Sequence, residues 1–190
     1  MAIAMGTPGG STWRHIPLVF THFAGAVLGG AVVGFLLGVL GETLPPTWEV
    51  RAAIIGGSGL LALVWGARRR GRSVGLRCQV PRRFGRAWTG YGTVCTWGAM
   101  LGSGFLTLIP YTGFLVLPAV QLVAGPAVGA AAGGIFGLVR QGHVALPLTL
   151  GYDQLRTMEM LETMKQTGSV LNPLPPLAAF LFIAIGLPFL

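Results

Sequence analysis

The chain has 190 residues, 53% of them apolar and only 9% charged, with a net charge of +8. Soluble domains carry about 25% charged residues, so this composition speaks against a soluble domain, and its hydrophobicity speaks against a disordered chain. A nucleic-acid partner is not expected either. Eight of the twelve arginines (Arg68, Arg69, Arg70, Arg72, Arg77, Arg82, Arg83 and Arg86) crowd into residues 68–86, between two apolar segments. Basic residues concentrated in one short inter-helix loop are what the positive-inside rule describes, and they put that loop in the cytoplasm. The expected architecture is a single integral membrane domain over residues 1–190. It is an all-α polytopic transmembrane helical bundle of about five spans.

The first span is predicted over residues 16–40. Its apolar run is longer than a signal-peptide core and no clear small-x-small cleavage site follows, so it reads as a retained span. Residues 41–50, with Glu42, Pro45, Pro46, Trp48 and Glu49, form a short outer turn. The second span covers 51–67 and ends on Trp65 and the arginine run. The third covers 88–109. Trp13, Trp48, Trp65 and Trp88 all fall at predicted span ends, where amphipathic rings are enriched.

Beyond Pro110 two readings stay open. Residues 112–139 form either one span interrupted at Pro118 and Gly125-Pro126, or a broken helix pair, since proline removes a backbone donor and crowds the preceding turn. Arg140 and His143 mark a return to the cytoplasmic side. Residues 144–150 are too few to span and are placed in the interface. Residues 153–167 carry Leu155, Met158, Leu161 and Met164 at three-residue spacing among five charges, the pattern of an amphipathic interfacial helix. A last span is predicted over 173–190.

The clearest motif is a set of glycine ladders. Gly30, Gly34 and Gly38 repeat every fourth residue; so do Gly125, Gly129, Gly133 and Gly137, and Gly98 pairs with Gly102. Glycines four apart make a flat groove that admits another helix closely. The partner helix could belong to this chain or to another.

The second motif is Gly102-Ser103-Gly104-Phe105, then Ile109-Pro110-Tyr111-Thr112, then Pro118 and Gly125-Pro126. A small-residue span broken by proline is how transporters present backbone groups to a solute. Phe105, Thr107, Pro110, Tyr111, Thr112 and Gln121 are the candidate pathway residues. The stretch 92–140, about a quarter of the chain, resembles the membrane core of DsbD-type and CcdA-type transmembrane thiol carriers. Those have a glycine-rich helix, a Phe-x-x-Gly-like segment and a Pro-Cys break followed by a small-residue helix. The resemblance implies a shared architecture without the disulfide relay. Tyr111 stands after Pro110 where the family has its reactive cysteine, and no second cysteine occupies an equivalent half.

Cys78 and Cys95 fit neither a redox pair nor a zinc site and read as reduced thiols. His22 is the one ionisable group deep in the first span. It is either a functional group or an imidazole bonded to a neighbouring carbonyl. No metal or cofactor site is expected: His15, His22 and His143 lack further ligands, and no phosphate loop, nucleophile elbow or zinc helix occurs. The eight loop arginines would attract anionic lipid or an acidic partner.

The leading expectation is therefore a small non-catalytic membrane subunit, binding partner helices through its glycine faces. A small transporter with its pathway around residues 105–126 comes second, and a thiol carrier third. The Arg-, Ala- and Gly-rich composition suits a bacterial plasma membrane.

Overall fold

The computed structural model describes residues 16–45, 47–69, 90–104 and 112–149, with side chains to residue 142, and eleven positions between 156 and 177. Among these the chain is helical, with no strand. The elements are α1 (Ile16–Gly41), α2 (Trp48–Arg69), α3 (Tyr91–Gly102), a 3-10 turn (Thr112–Leu115), α4 (Val116–Ala124) and α5 (Pro126–Thr149). Two of them, α1 and α2, are long and apolar enough to cross a membrane.

The fold is organised around α1. Its buried positions are His22, Gly25, Ala26, Gly30, Gly34 and Gly38, all but the first without a side chain beyond Cβ. Its large apolar residues point outward: Phe20 is 71% exposed and Leu36 59%. This inverts the water-soluble pattern, in which leucine and phenylalanine fill the interior. It also removes the usual adhesive. What remains is close backbone approach, for which small residues are required.

Helix α5 lies antiparallel to α1 along one face. A Cβ on Gly30 would collide with the Gly133 carbonyl, one on Gly34 with that of Gly129, and one on Gly38 with Gly125 and Pro126. Helix α3 runs parallel to α1 on another face, where Gly98 meets the His22 carbonyl and Gly102 that of Ala26. Helix α4 continues in the same direction farther along α1, and Gly41 abuts Leu122. Thus α3 and α4 stack as two halves of one interrupted column, and that column, α1 and α5 make a three-sided core. Helix α2 packs on the 3-10 turn and α4. Its inward positions Ala52, Gly59 and Ala62 are again small.

Two expected boundaries are corrected, and the break beyond Pro110 is located. The helix predicted over 88–109 stops at Gly102, because Gly104 bonds back to the Leu101 carbonyl and takes φ +77°, a left-handed value costly for residues with a Cβ. Of the two arrangements open for residues 112–139, the structure has two helices, α4 and α5. The chain reverses at Gly125, whose φ of +84° sets the turn, and Pro126 opens α5 where its missing N–H costs nothing. Pro118, by contrast, is accommodated in the first turn of α4. Finally, residues 144–149 are not a separate interfacial piece: α5 continues through Arg140 to Thr149.

The predicted interfacial helix 153–167 and last span 173–190 lie mostly outside the described residues. The described positions Arg156, Glu159, Met160, Glu162, Thr163, Gln166 and Thr167 are helical, and of these only Met160 is not exposed.

Candidate functional site

The two ladders on α1 and α5 form successive rungs. Each step of four along α1 matches a step of four back along α5, giving Gly38 with Gly125, Gly34 with Gly129, Gly30 with Gly133 and Ala26 with Gly137. The next step in the same register brings His22 against Gln141. Their side chains meet, with His22 Nε2 3.0 Å from Gln141 Oε1. Both are buried, Gln141 at 1% exposure and His22 at 7%.

The third column joins this rung. His22 Nδ1–H donates to the Val94 carbonyl oxygen at 3.2 Å. The bond is possible because Gly25 sits on the Cys95 carbonyl and Gly98 on that of His22, so α1 and α3 touch backbone to backbone. A charged imidazole donates to both oxygens. A neutral one keeps the Val94 bond and accepts an N–H from the Gln141 amide after a half-turn of that group. Neither the carbonyl nor the amide exchanges protons near neutral pH. The chemistry of the rung is therefore to hold three helices together: an unmade bond in an apolar interior is expensive, and here each ring nitrogen has a partner.

A second polar group enters from α4. Gln121, 3% exposed, lays its amide in the notch between Gly34 and Gly133. A Cβ on those glycines would come within 3.1 and 3.0 Å of Gln121 Nε2. Near the break in the third column, the Phe114 and Phe136 rings lie 5.0 Å apart, and a Cβ on Gly104 would collide with them. The Arg140 guanidinium lies 5.8 Å from the Phe136 centroid, within cation–π range. Thr112 is buried against Gly66 of α2. On α3, Thr93 Oγ1 and Trp97 Nε1 are shielded and make no hydrogen bond.

Of the ladder residues, Gly30, Gly34, Gly38, Gly98, Gly102, Gly129, Gly133 and Gly137 all face other helices of this same chain. Gly125 has a different role. A Cβ there would meet nothing, and its backbone sets the reversal. Of the pathway residues, Thr112 and Gln121 are buried at separate places along the third column. Phe105, Thr107, Pro110 and Tyr111 lie outside the described residues. Arg68 is exposed at the end of α2 and Arg69 closes that helix. Arg70, Arg72, Arg77, Arg82, Arg83 and Arg86 lie outside the described residues, as does Cys78.

Cys95 is a free, half-buried thiol on α3. Among the described residues no three His, Cys, Asp or Glu side chains come together. Gln141 was missed by the sequence reading. The available signal was register: it stands four residues beyond Gly137, as His22 stands four before Ala26. Comparison with protein families, with curated proteins and with solved structures finds no match.

Proposed function

We propose that the chain is an integral membrane protein acting as a small non-catalytic subunit, a rigid helical scaffold onto which partner membrane helices dock. The observation that carries this is the inverted side-chain distribution. Glycine, alanine, His22, Gln121 and Gln141 are inside, while Phe20, Leu28, Val32, Phe35 and Leu36 are outside. In lipid that outer surface costs nothing; in water it is a large aggregation-prone patch.

The glycine seam is occupied by the chain's own helices, so partners must meet the outer faces. Helix α2 suits them best. Among the described residues it packs mainly on the third column, exposes Leu60, Leu61 and Val64, and carries Gly57, beside which there is open space. An open glycine three and four residues before exposed leucines shares their helix face and is a place where a second helix can come close.

The protein is expected to resist alkaline carbonate extraction and to copurify with other membrane proteins in mild detergent, as a bacterial plasma-membrane protein with the 68–86 loop in the cytoplasm. Gly57→Leu should release the partners without unfolding the core. Migration as a lone monomer, or an exported signal from a reporter fused at Gly75, would count against this reading.

One observation favours a small transporter as a second reading: the third column is made of two helices, the first ending at Gly102, and its second half buries two polar side chains, Thr112 and Gln121. Solute uptake into vesicles should then fall on Gln121→Ala and Pro110→Ala; unchanged uptake in both removes it. The thiol-carrier reading keeps only Cys95, and maleimide labelling in intact membranes tests it.

A further inference from the structure

At the end of the bundle where α1 passes into α2, a cavity of about 400 Å³ opens to the outside. Its lining includes the apolar Leu44, Ile54, Leu122 and Val123 and two charged side chains of opposite sign, Glu42 and Arg51. Both are exposed, and they form no ion pair with each other.

Their placement is unfavourable for the helices that bear them. Glu42 follows the carboxyl end of α1 and its N–H bonds the Gly38 carbonyl; Arg51 stands in the first turn of α2. A helix dipole favours cations at the carboxyl end and anions at the amino end. Each charge therefore stands where the dipole opposes it. Glu49, in the same first turn, has the favourable sign, but it is two residues from Arg51, more than half a turn around the helix, and does not line the cavity. The amino end of α5 begins beside Gly125 and offsets the carboxyl end of α4, so the electrostatics of the cavity are set mainly by α1 with Glu42 and by α2 with Arg51.

A ligand carrying both an anion and a cation reverses these conflicts. A phosphate beside Arg51 also faces the amino end of α2, the preferred site for such an anion. An ammonium beside Glu42 also faces the carboxyl end of α1. Apolar chains attached to the same molecule continue onto the exposed leucine and valine surfaces of α1 and α2. We propose that this cavity binds the headgroup of a zwitterionic phospholipid with a primary amine, phosphatidylethanolamine being the representative. Arg51 holds the phosphate and Glu42 the ammonium. The proposal rests on the membrane reading above.

The test is lipid retention by the purified full chain, read by native mass spectrometry. Samples are prepared in phosphatidylcholine nanodiscs containing equal added phosphatidylethanolamine and phosphatidylglycerol. Preferential retention of phosphatidylethanolamine is expected. Arg51→Gln should lower it roughly tenfold, the loss of about 1.4 kcal/mol. Glu42→Gln should abolish the preference over phosphatidylglycerol while leaving total lipid bound. In delipidated detergent both variants should melt at or above the wild-type temperature, because each removes a charge that opposes a helix dipole. A merely structural role predicts the opposite.

Displacement of the lipid by millimolar inorganic phosphate would overturn the proposal in favour of a free-anion site. Equal retention of both lipids by all three proteins would overturn it outright. If the protein withstands carbonate extraction in that case, the membrane reading stands and only the site falls. Release by carbonate removes both.

Discussion

Gly30→Ala and Gly133→Ala are each expected to cost about 3 kcal/mol or more, whereas Gly57→Ala should stabilise the protein by about 0.5–1 kcal/mol. The same single methyl group thus has opposite signs at two helical glycines. On Gly30 the new Cβ lands on the carbonyl of Gly133, and on Gly133 it lands on that of Gly30. Backbone cannot rotate out of the way as a side chain can, so α1 and α5 must separate along their whole contact. At Gly57 there is nothing within 4 Å, and alanine only reduces the entropy lost on helix formation.

For a chain of this size the seam variants should melt roughly 6–12 °C lower, measured by thermal unfolding in detergent. Gly30→Ala combined with Gly133→Ala should cost less than the sum, because one separation accommodates both methyl groups. Equal tolerance of alanine at Gly30 and Gly57 would show that the seam does not hold the core together.

Gln141→Leu is expected to destabilise the protein by about 1–2 kcal/mol, and His22→Leu by a similar amount, yet the double variant should lose less than the sum of the two. Removing Gln141 leaves His22 Nε2 buried against hydrocarbon; removing His22 leaves both Gln141 and the Val94 carbonyl without their bond. Replacing both side chains leaves fewer orphans. If the proposed membrane setting holds, hydrogen bonds between helices average only about 0.6 kcal/mol, so the cost of the orphaned partner should dominate. A double-mutant cycle on melting free energies measures it. Strict additivity would mean that the two groups are neighbours without being bonded.

The all-helical architecture and the glycine seam could be read in the residues, because four-residue spacing of glycine has a direct geometric meaning on a helix. Where the ladders ended could not. His22 and Gln141 continue the same register, but a ladder defined by small side chains stops at the last small one. The His22–Gln141 pair closes the seam by reach where the other rungs close it by absence of bulk. The identity of each ladder's partner was equally hidden, since a groove of glycines looks the same whether it receives a helix of its own chain or of another.

The turn chemistry is legible only in part. Breaks are expected at both Pro118 and Gly125-Pro126; the first turn of α4 tolerates Pro118, and the decisive positions are Gly104 and Gly125. Their positive φ values end one helix and reverse the chain after another. Glycine is so common here, at 31 residues, that a conformational use could not be told from a packing use by composition.

The closing rung also bears on how the protein is made. His22 and Gln141 are separated by 119 residues, and His22 and Val94 by 72. Helix α1 emerges from the ribosome long before α5 exists, with a bare glycine groove and a polar ring at its base. Through most of synthesis the central helix is thus without its principal neighbour, and the core forms as a late event in which α5 docks and α1 is enclosed. A chaperone or partner subunit that shields the groove of α1 during that interval would speed assembly, and an α1 left unshielded is open to the wrong helix.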